Sequence, residues 1–165
     1  MGIALAMVTS YIKIWEMPMG GSVTLLSMLF ICLTGYWFGP KYGIIAGAAY
    51  GMLQFVIDPY MLSLAQVLFD YPLAFGALGL SGFFRGRKYG LQLGYIAGVI
   101  GRFLFSTLSG VIFFAAYAPE GMNPWVYSAL YQGSYLGTEG IVTLILISLP
   151  PITKALNTVK QQTMN

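Results

Sequence analysis

Apolar residues run through the chain in six long segments, near residues 2–14, 22–38, 41–57, 61–84, 89–117 and 124–157. The stretches between them read EMPMGGS, GP, DPY, RGRK and PEGMNP. Proline and glycine punctuate such stretches because both residues interrupt helices. A hydrocarbon core about 30 Å thick takes about 20 apolar residues per spanning helix. The pattern therefore predicts an all-α integral membrane protein with six transmembrane helices, in a single domain over residues 1–165.

Composition supports a membrane location and narrows the chemistry. Hydrophobic residues make up 58% of the chain and charged residues 8%, whereas soluble domains are about 25% charged. The chain has no histidine, and Cys32 is its one cysteine, which excludes histidine-based triads, HExxH zinc sites and an internal disulfide. No basic run is interleaved with aromatic residues. We expect no enzyme, no metal, no cofactor and no nucleic-acid partner, with membrane lipid as the surroundings.

The positions of the charges predict how the helices are oriented. The second and fourth loops and the C-terminal end carry Lys41, Arg85, Arg87, Lys88, Lys154 and Lys160, whereas the odd-numbered loops carry Glu16, Asp58 and Glu120. Basic residues favour the cytoplasmic side of a membrane. Both termini are therefore predicted to be cytoplasmic, and the PEGMNP loop faces outward. Lys13, next to the first loop, is the exception and is expected to snorkel.

Small residues spaced four apart mark close approaches between helices. Gly43, Gly47 and Gly51 form such a stripe on the third predicted helix, and Gly94 and Gly98 repeat it on the fifth. We interpret both stripes as packing within the chain. Gly2 and Ala6 form a similar pair on the first helix. There the spacing alone fits either internal packing or the docking of a partner helix.

Three ionisable residues, Asp70, Arg102 and Glu139, lie deep inside predicted helices, where an uncompensated charge is costly. Arg102 and Glu139 each lie about 22 Å below the outer loop, so equal depth predicts an ion pair between them. Asp70 lies only about 13 Å deep and is left without a cation. In the alternative arrangement, Arg102 reaches Asp70, and Glu139 is protonated or bonded to hydroxyl groups.

Aromatic and polar side chains are concentrated between residues 117 and 140. The sixth predicted helix carries Trp125, Tyr127, Tyr131, Gln132 and Tyr135, and the fifth carries Ser106, Phe113, Phe114 and Tyr117. With Asp70 and Tyr71 these residues would form an outward-facing cavity for a flat, aromatic, cationic molecule, because ring faces attract cations and stack on planar rings. The alternative is an aromatic belt at the membrane interface.

Several blocks resemble one family in order through residues 2–150, namely MPMGGSVTLLSM, YGIIAGAAYGMLQF, DYPLAFGALGLSG, SGVIFFAAYAPEGMNPWVYS and YQGSY. They are similar to the thiamin-specific substrate-binding (S) component of energy-coupling factor (ECF) vitamin transporters. The resemblance implies a six-helix S-component fold that binds thiamin in the bacterial cytoplasmic membrane. It also implies docking to a transmembrane coupling subunit and two ATP-binding-cassette ATPases, with Gly2 and Ala6 on the docking face.

The resemblance also assigns site residues. The acidic residue that meets the thiazolium charge and the tyrosine after it fall on Asp70 and Tyr71, with aspartate in place of the family's glutamate. Ser106 replaces a histidine, Phe114 replaces a tryptophan and Gln132 replaces an asparagine. The NPWVYS tyrosine falls on Tyr127, and Trp15 is the candidate for a gating tryptophan in the first loop. These departures leave thiamin as the expected ligand and a pyrimidine or thiazole precursor as the alternative.

We therefore expect uptake of unaltered thiamin without catalytic residues in this chain. The sequence has no GxxxxGK[ST] phosphate loop, so ATP hydrolysis is expected in partner subunits. One alternative is a stand-alone gradient-driven carrier for a thiamin precursor or another small cationic aromatic solute, with Asp70, Arg102 and Glu139 as a proton relay. A further alternative is an intramembrane enzyme that acts on lipid.

Overall fold

The structure is a computed structural model that describes residues 1–18 and 21–164, and it is mostly helical. In chain order its elements are α1 (Gly2–Ser10), β1 (Lys13–Glu16), β2 (Ser22–Thr24), α2 (Ser27–Phe38), α3 (Pro40–Ile57), α4 (Leu64–Phe84), α5 (Gly90–Phe113), α6 (Pro124–Ser148) and α7 (Pro150–Met164). A short 3-10 turn, Ala115–Tyr117, follows α5. Each predicted apolar segment thus contains a helix, and the helical fold class is confirmed.

A two-stranded antiparallel hairpin interrupts this helical fold where the sequence pattern predicted helix ends and a loop. Its strands pair Lys13 with Thr24 and Glu16 with Ser22. The predicted first helix therefore runs too far, because β-branched and aromatic residues at 12–15 favour an extended chain over a helix end. The hairpin joins α1 to α2 and lies at one end of the helices.

Helix α4 is irregular around Pro72. It begins as an α-helix at Leu64–Leu68, widens into a π turn at Phe69–Leu73 and ends as a 3-10 helix at Ala77–Phe84. Pro72 lies inside the π turn. Because proline has no N–H for the regular helical hydrogen bond, the chain there accommodates a wider turn.

Both glycine stripes pack inside the chain, as predicted. A side chain added at Gly43 or Gly47 would collide with the backbone of α4 at Gly79 or Phe75, and one at Gly98 would collide with α4 at Leu78. Helices α3 and α5 therefore sandwich α4 at close range. The apolar core around these contacts is formed by buried residues such as Met28, Ile31, Cys32, Leu78 and Leu136.

The small residues of α1 pack within the chain too, which favours the internal-packing alternative for Gly2 and Ala6 over the docking face that the resemblance implies. Ala6 is fully buried, and its carbonyl oxygen accepts a 3.4 Å hydrogen bond from the Tyr50 hydroxyl of α3. A side chain on Gly2 would collide with Thr34 of α2. The spacing of small residues indicates a close helix contact, and here the contacting helices, α2 and α3, belong to the same chain.

The last apolar segment is two helices rather than one. Helix α6 ends at Ser148, α7 begins at Pro150, and the two axes bend by 82°. Proline disfavours the helical conformation of the residue before it, and Leu149 is accordingly extended, with ψ 128°. The prediction of a single helix through residue 157 is therefore wrong.

Two helices in the described part of the chain, Leu64–Phe84 and Gly90–Phe113, are long and apolar enough to cross a membrane unaided. The bent pair of α6 and α7 supplies a third if it is counted as one span. These lengths are consistent with a multi-pass membrane protein. The six-span count and the orientation of the termini go beyond what these lengths show.

Candidate functional site

A cavity of about 380 Å³ lies between the β hairpin and the ends of α3, α4, α5 and α6. Eight of the predicted cavity residues line it, namely Asp70, Tyr71, Ser106, Phe114, Tyr127, Tyr131, Gln132 and Tyr135. They come from α4, α5 with its cap residue, and α6, so the sequence pattern identified residues that the fold brings together. The cavity is large enough for a molecule of two small rings.

Asp70 supplies a negative charge to this cavity from the π turn of α4. Its Oδ2 atom accepts a 2.6 Å hydrogen bond from Gln66 Nε2. Within the described part of the chain, no lysine or arginine nitrogen lies within ion-pair distance of this carboxylate. The next residue, Tyr71, accepts a hydrogen bond from the Tyr60 amide and donates one to the Asp58 carbonyl oxygen, both at 3.3 Å. Asp70 therefore reaches the cavity with an amide partner and without a neutralising cation.

The predicted ion pair between Arg102 and Glu139 does not form, and neither does the alternative pair between Arg102 and Asp70. Salt bridges among the described residues join Lys13 to Glu16 and to Asp58. The guanidinium carbon of Arg102 instead lies 4.0 Å from the centroid of the Phe75 ring, and its buried Nε atom has no hydrogen-bond partner. A ring face attracts a cation, so Phe75 takes the place of the expected carboxylate. Arg102 also lines the cavity.

Glu139 is held by hydrogen bonds rather than by a cation. Its carboxylate accepts from the Thr24 amide at 2.9 Å, the Thr24 hydroxyl at 2.8 Å, and the Ser27 hydroxyl and Met28 amide at 3.3 Å each. The prediction from equal depth gave the wrong partner. The N–H groups at the start of α2 have no acceptor within the helix, and the Glu139 carboxylate supplies one. Of the alternative arrangement, the hydroxyl partners of Glu139 are present, whereas its pair between Arg102 and Asp70 is not.

Aromatic rings of α6 form one wall of the cavity. The ring centroids of Tyr127 and Tyr131 lie 6.2 Å apart, as do those of Tyr131 and Tyr135. Gln132 Nε2 donates a 3.2 Å hydrogen bond to the Ser106 carbonyl oxygen of α5, and the Tyr135 hydroxyl donates to Gln132 Oε1. Gln132 is thereby fixed between two helices. The predicted wall between residues 117 and 140 exists over its deeper half.

Phe114 closes the cavity on the side of α4. Its ring stacks on that of Tyr60, with centroids 5.8 Å apart and planes 19° apart. Both rings line the cavity. This pair keeps a flat apolar surface at the position where the resemblance expects a tryptophan.

Four residues predicted for the cavity, Trp15, Phe113, Tyr117 and Trp125, do not line it. The side chains of Trp15 and Trp125 are each 54% exposed. Trp15 lies on β1, of which every residue is exposed. Trp125 lies in the first turn of α6, directly after the cap residue Asn123 and Pro124. For Trp125 the aromatic belt at the membrane interface is the better interpretation, since the ring is exposed and does not line the cavity.

Sequence analysis missed several polar residues of the lining, among them Gln54, Gln66 and Tyr60. Gln66 lies four residues before Asp70, and this is the spacing that places two side chains on one helix face. That spacing could have identified Gln66. Gln54 is an amide within an apolar segment, and its Nε2 atom donates a 2.7 Å hydrogen bond to the Tyr50 hydroxyl.

The mouth of the cavity carries a second group of charges. Lys13 Nζ lies 3.0 Å from Glu16 and 3.4 Å from Asp58, and these hydrogen bonds, that to Glu16 first, raise the pKa of Lys13 above its usual value. The described lining thus contains three carboxylates, on Glu16, Asp58 and Asp70, and two cations, on Lys13 and Arg102. Three negative charges and two positive charges leave one net negative charge, which favours a monovalent cation.

The sequence is similar to those of known transport proteins. A family described as thiamine transporter protein matches residues 1–159. Thiamine transporter ThiT of Bacillus subtilis is 33% identical over 148 residues, which cover 81% of this chain and 77% of the relative. Thiamine transporter ThiT of Lacticaseibacillus paracasei is 28% identical over 121 residues, which cover 63% and 60% of the two chains. Both relatives are named as transporters and not as enzymes.

A solved structure shares the fold. ThiT from Listeria monocytogenes superposes with a TM-score of 0.73 at 25% sequence identity, over 91% of each chain. The match extends over nearly all the helices described above, and the family match covers nearly all of the sequence. This chain belongs to the thiamine transporter protein family.

Proposed function

We propose that this chain binds thiamin in the cavity beside Asp70 and serves thiamin uptake across the bacterial cytoplasmic membrane as the substrate-binding subunit of an ECF transporter. The observation that carries the proposal is the Asp70 carboxylate, which lines an aromatic cavity and has no lysine or arginine nitrogen of the described residues at ion-pair distance. Thiamin joins a positively charged thiazolium ring to an aminopyrimidine ring. A buried carboxylate without a cation is costly, so a cationic ligand stabilises it.

The remaining lining supports a ligand of two flat rings. Phe114 and the α6 tyrosines offer ring faces for stacking. The amides of Gln54, Gln66 and Gln132 supply donors and acceptors for an aminopyrimidine. Ser106 is 5% exposed and lacks the ring that the family's histidine provides, so the wall is thinner there. We propose that this change lowers the affinity without changing the ligand class.

The net charge of the cavity argues for thiamin over its phosphates. A phosphate group would add negative charge to a lining that already carries one net negative charge. Isothermal titration of the purified protein in detergent with thiamin, thiamin monophosphate and the free aminopyrimidine tests this order. Thiamin is expected to bind at least about 10-fold tighter than the monophosphate, the equivalent of about 1.4 kcal/mol. Equal affinity for the two would contradict the charge argument.

Six spans with both termini in the cytoplasm are part of the proposal. The cationic residues of the 85–88 turn and of α7 support this orientation, because basic residues favour the cytoplasmic side. Cysteine labelling with a membrane-impermeant reagent, in a background without Cys32, tests it. Residue 120 should be labelled in intact cells, whereas residue 86 should be labelled only after the cells are opened.

We further propose that partner subunits supply the energy, as the resemblance to ECF S components implies. The expected partners are a transmembrane coupling subunit and two ATP-binding-cassette ATPases. Thiamin accumulation in cells with and without the ATPases tests this. Loss of accumulation with retained binding supports the proposal. Undiminished accumulation that a protonophore abolishes would instead identify a gradient-driven carrier.

A further inference from the structure

Glu139 joins the wall of the cavity to the β hairpin that covers it. Glu139 lies on α6, which also carries Tyr131 and Gln132 of the cavity wall. Its hydrogen-bond donors among the described residues belong to Thr24 at the end of β2 and to Ser27 and Met28 in the first turn of α2. The side chain is 4% exposed and does not line the cavity. It therefore has no direct contact with a ligand in the cavity.

The two carboxylate oxygens of Glu139 bind different elements, one the end of β2 and the other the start of α2. Oε2 accepts from the amide and the hydroxyl of Thr24, which ends β2. Oε1 accepts from the Ser27 hydroxyl and the Met28 amide, in the first turn of α2. The Thr24 and Ser27 hydroxyl oxygens also lie 2.6 Å apart. One carboxylate thus spans the junction where the hairpin becomes a helix.

The local sequence explains why this junction depends on a distant residue. The first N–H groups of a helix have no partner within the helix and are normally satisfied by a polar cap residue. The cap position of α2 is Leu26, which has no side-chain acceptor and adopts a left-handed conformation with φ 64°. That conformation is unfavourable for leucine and persists where surrounding contacts impose it. Glu139 supplies the missing acceptor from across the fold.

The same junction contributes to the cavity. Gly21, Ser22, Thr24 and Ser27 all line it. Gly21 packs so closely on the Tyr135 ring that no side chain would fit between them, and its φ is +86°. Tyr135 lies one helical turn before Glu139 on the same face of α6. The hairpin is therefore attached to α6 at two neighbouring points, Glu139 and Tyr135.

We propose that Glu139 is a positioning residue for ligand retention, whose carboxylate holds the hairpin and the start of α2 over the cavity. When the carboxylate is intact, the hairpin stays closed and the ligand leaves slowly. When it is weakened, the hairpin opens more often, and the ligand dissociates faster at a similar association rate. The retention readout rests on the proposed thiamin binding, whereas the attachment of the hairpin does not.

Amide hydrogen exchange of the full chain without ligand tests the attachment. Glu139→Gln removes the charge and one acceptor at nearly constant shape. The Thr24 and Met28 amides are expected to exchange about 10-fold faster or more, as expected for weakened hydrogen bonds to a charged group. Thr143→Val is the matched control, because Thr143 is a buried residue of α6 one helical turn after Glu139 and makes no hydrogen bond to Thr24 or Met28 in the described structure. Exchange at Thr24 and Met28 is expected to be unchanged in the control.

Thiamin dissociation, followed by chase with excess unlabelled thiamin, tests the positioning role. Glu139→Gln should accelerate dissociation about 10-fold while association changes less than about 3-fold. A lower melting temperature with unchanged dissociation would overturn the proposal and leave a purely structural role. If the wild-type protein binds no thiamin, the proposed function is contradicted. The exchange experiment then still tests whether Glu139 attaches the hairpin, because it needs no ligand.

A second variant covers the case in which Glu139→Gln does not fold. Thr24→Val removes the shortest hydrogen bond to the carboxylate and leaves the backbone bond in place. It should accelerate amide exchange of Met28 and thiamin dissociation in the same direction by a smaller factor. Thiamin dissociation and Met28 exchange that both stay at the wild-type rate in Thr24→Val would overturn the proposal. Where Glu139→Gln does fold, the effect of Thr24→Val should largely disappear in the double variant, because the two residues act through one interaction. Fully additive effects would overturn the proposal.

Discussion

Gln66 Nε2 donates a 2.6 Å hydrogen bond to Asp70 Oδ2 across one turn of α4. Gln66 is itself fixed, because its Oε1 atom accepts from the Leu62 amide at 3.1 Å and its Nε2 atom also donates to the Tyr60 carbonyl oxygen at 3.4 Å. The glutamine side chain is 1% exposed. The carboxylate is thus held in one orientation by an amide that adds no charge, and its negative charge remains available to a ligand.

Asp70→Asn is expected to weaken thiamin binding by about 1.5–3 kcal/mol, the range for a hydrogen bond to a charged group. The substitution keeps an oxygen that can accept from Gln66, so the melting temperature should change little. Titration of both proteins in detergent gives the affinity. Glu120→Gln is the control, since Glu120 is exposed and lies outside the cavity lining. Near-wild-type affinity of Asp70→Asn would assign the carboxylate to structure alone.

The two aromatic residues near the mouth should behave differently on replacement by alanine. Phe114→Ala removes a ring that lines the cavity and stacks on Tyr60, and it should cost about 1 kcal/mol or more of binding energy. Trp125→Ala removes a ring that is 54% exposed outside the cavity and should leave the affinity unchanged. Parallel titrations compare the two. A larger loss for Trp125 would place the ligand at the membrane interface.

Arg102→Met is expected to fold, because Glu139 does not depend on Arg102 for neutralisation. The variant loses the contact with the Phe75 ring but also relieves a buried nitrogen without a partner, and the two effects oppose each other. Thermal unfolding in detergent should therefore show a small change in melting temperature. A loss of several kcal/mol would instead indicate an ionic role for Arg102 in the folded state.

The variant should also change ligand selectivity. Without Arg102 the described lining would carry two net negative charges, three carboxylates against Lys13 alone. Discrimination between thiamin and thiamin monophosphate should therefore increase. Titrations of wild type and variant with both ligands measure the ratio. An unchanged ratio of the two affinities would show that the charge of Arg102 does not affect ligand binding.

Gly47→Ala should destabilise the fold by about 1–3 kcal/mol, as expected where an added methyl group has no space. The new Cβ atom would collide with the Phe75 carbonyl group of α4. Gly137→Ala is the matched control, because a Cβ atom there meets nothing within 4 Å. Alanine also favours the helix over glycine, so the control should be neutral or stabilising. Equal melting temperatures for the two variants would contradict the close packing of α3 on α4.

The helices and much of the site were predictable because their signals are local. Apolar runs predicted every helix except the division of the last run into α6 and α7. The four-residue spacing of Gly43, Gly47 and Gly51 predicted a close helix contact that the structure confirms. Asp70 was predicted to lack a cation, and it does among the described residues. In each case a residue's neighbours along the chain, or the cost of its burial, were sufficient evidence.

The predictions failed where the outcome depends on contacts between distant residues. Depth along the helices placed Glu139 near Arg102, but the acceptor was needed at Thr24 and Met28, more than a hundred residues away in sequence. Ala6 was assigned to a partner although it is covered by this chain's own helices. Residues 13–16 form a strand because residues 22–24 are available to pair with them. A linear pattern contains no information about such partners.

The π turn at Phe69–Leu73 has a consequence for comparing this chain with its relatives. Such a turn takes up one residue more than an ordinary helical turn, and one residue corresponds to about 100° around the axis. The direction of the Asp70 carboxylate therefore depends on the extra residue in the turn that contains Pro72, as well as on the aspartate itself. In a homologue with an unbroken helix at this point, the equivalent acid would have to occupy the adjacent alignment column. Alignments that ignore this offset would pair residues that point in directions about 100° apart around the helix axis.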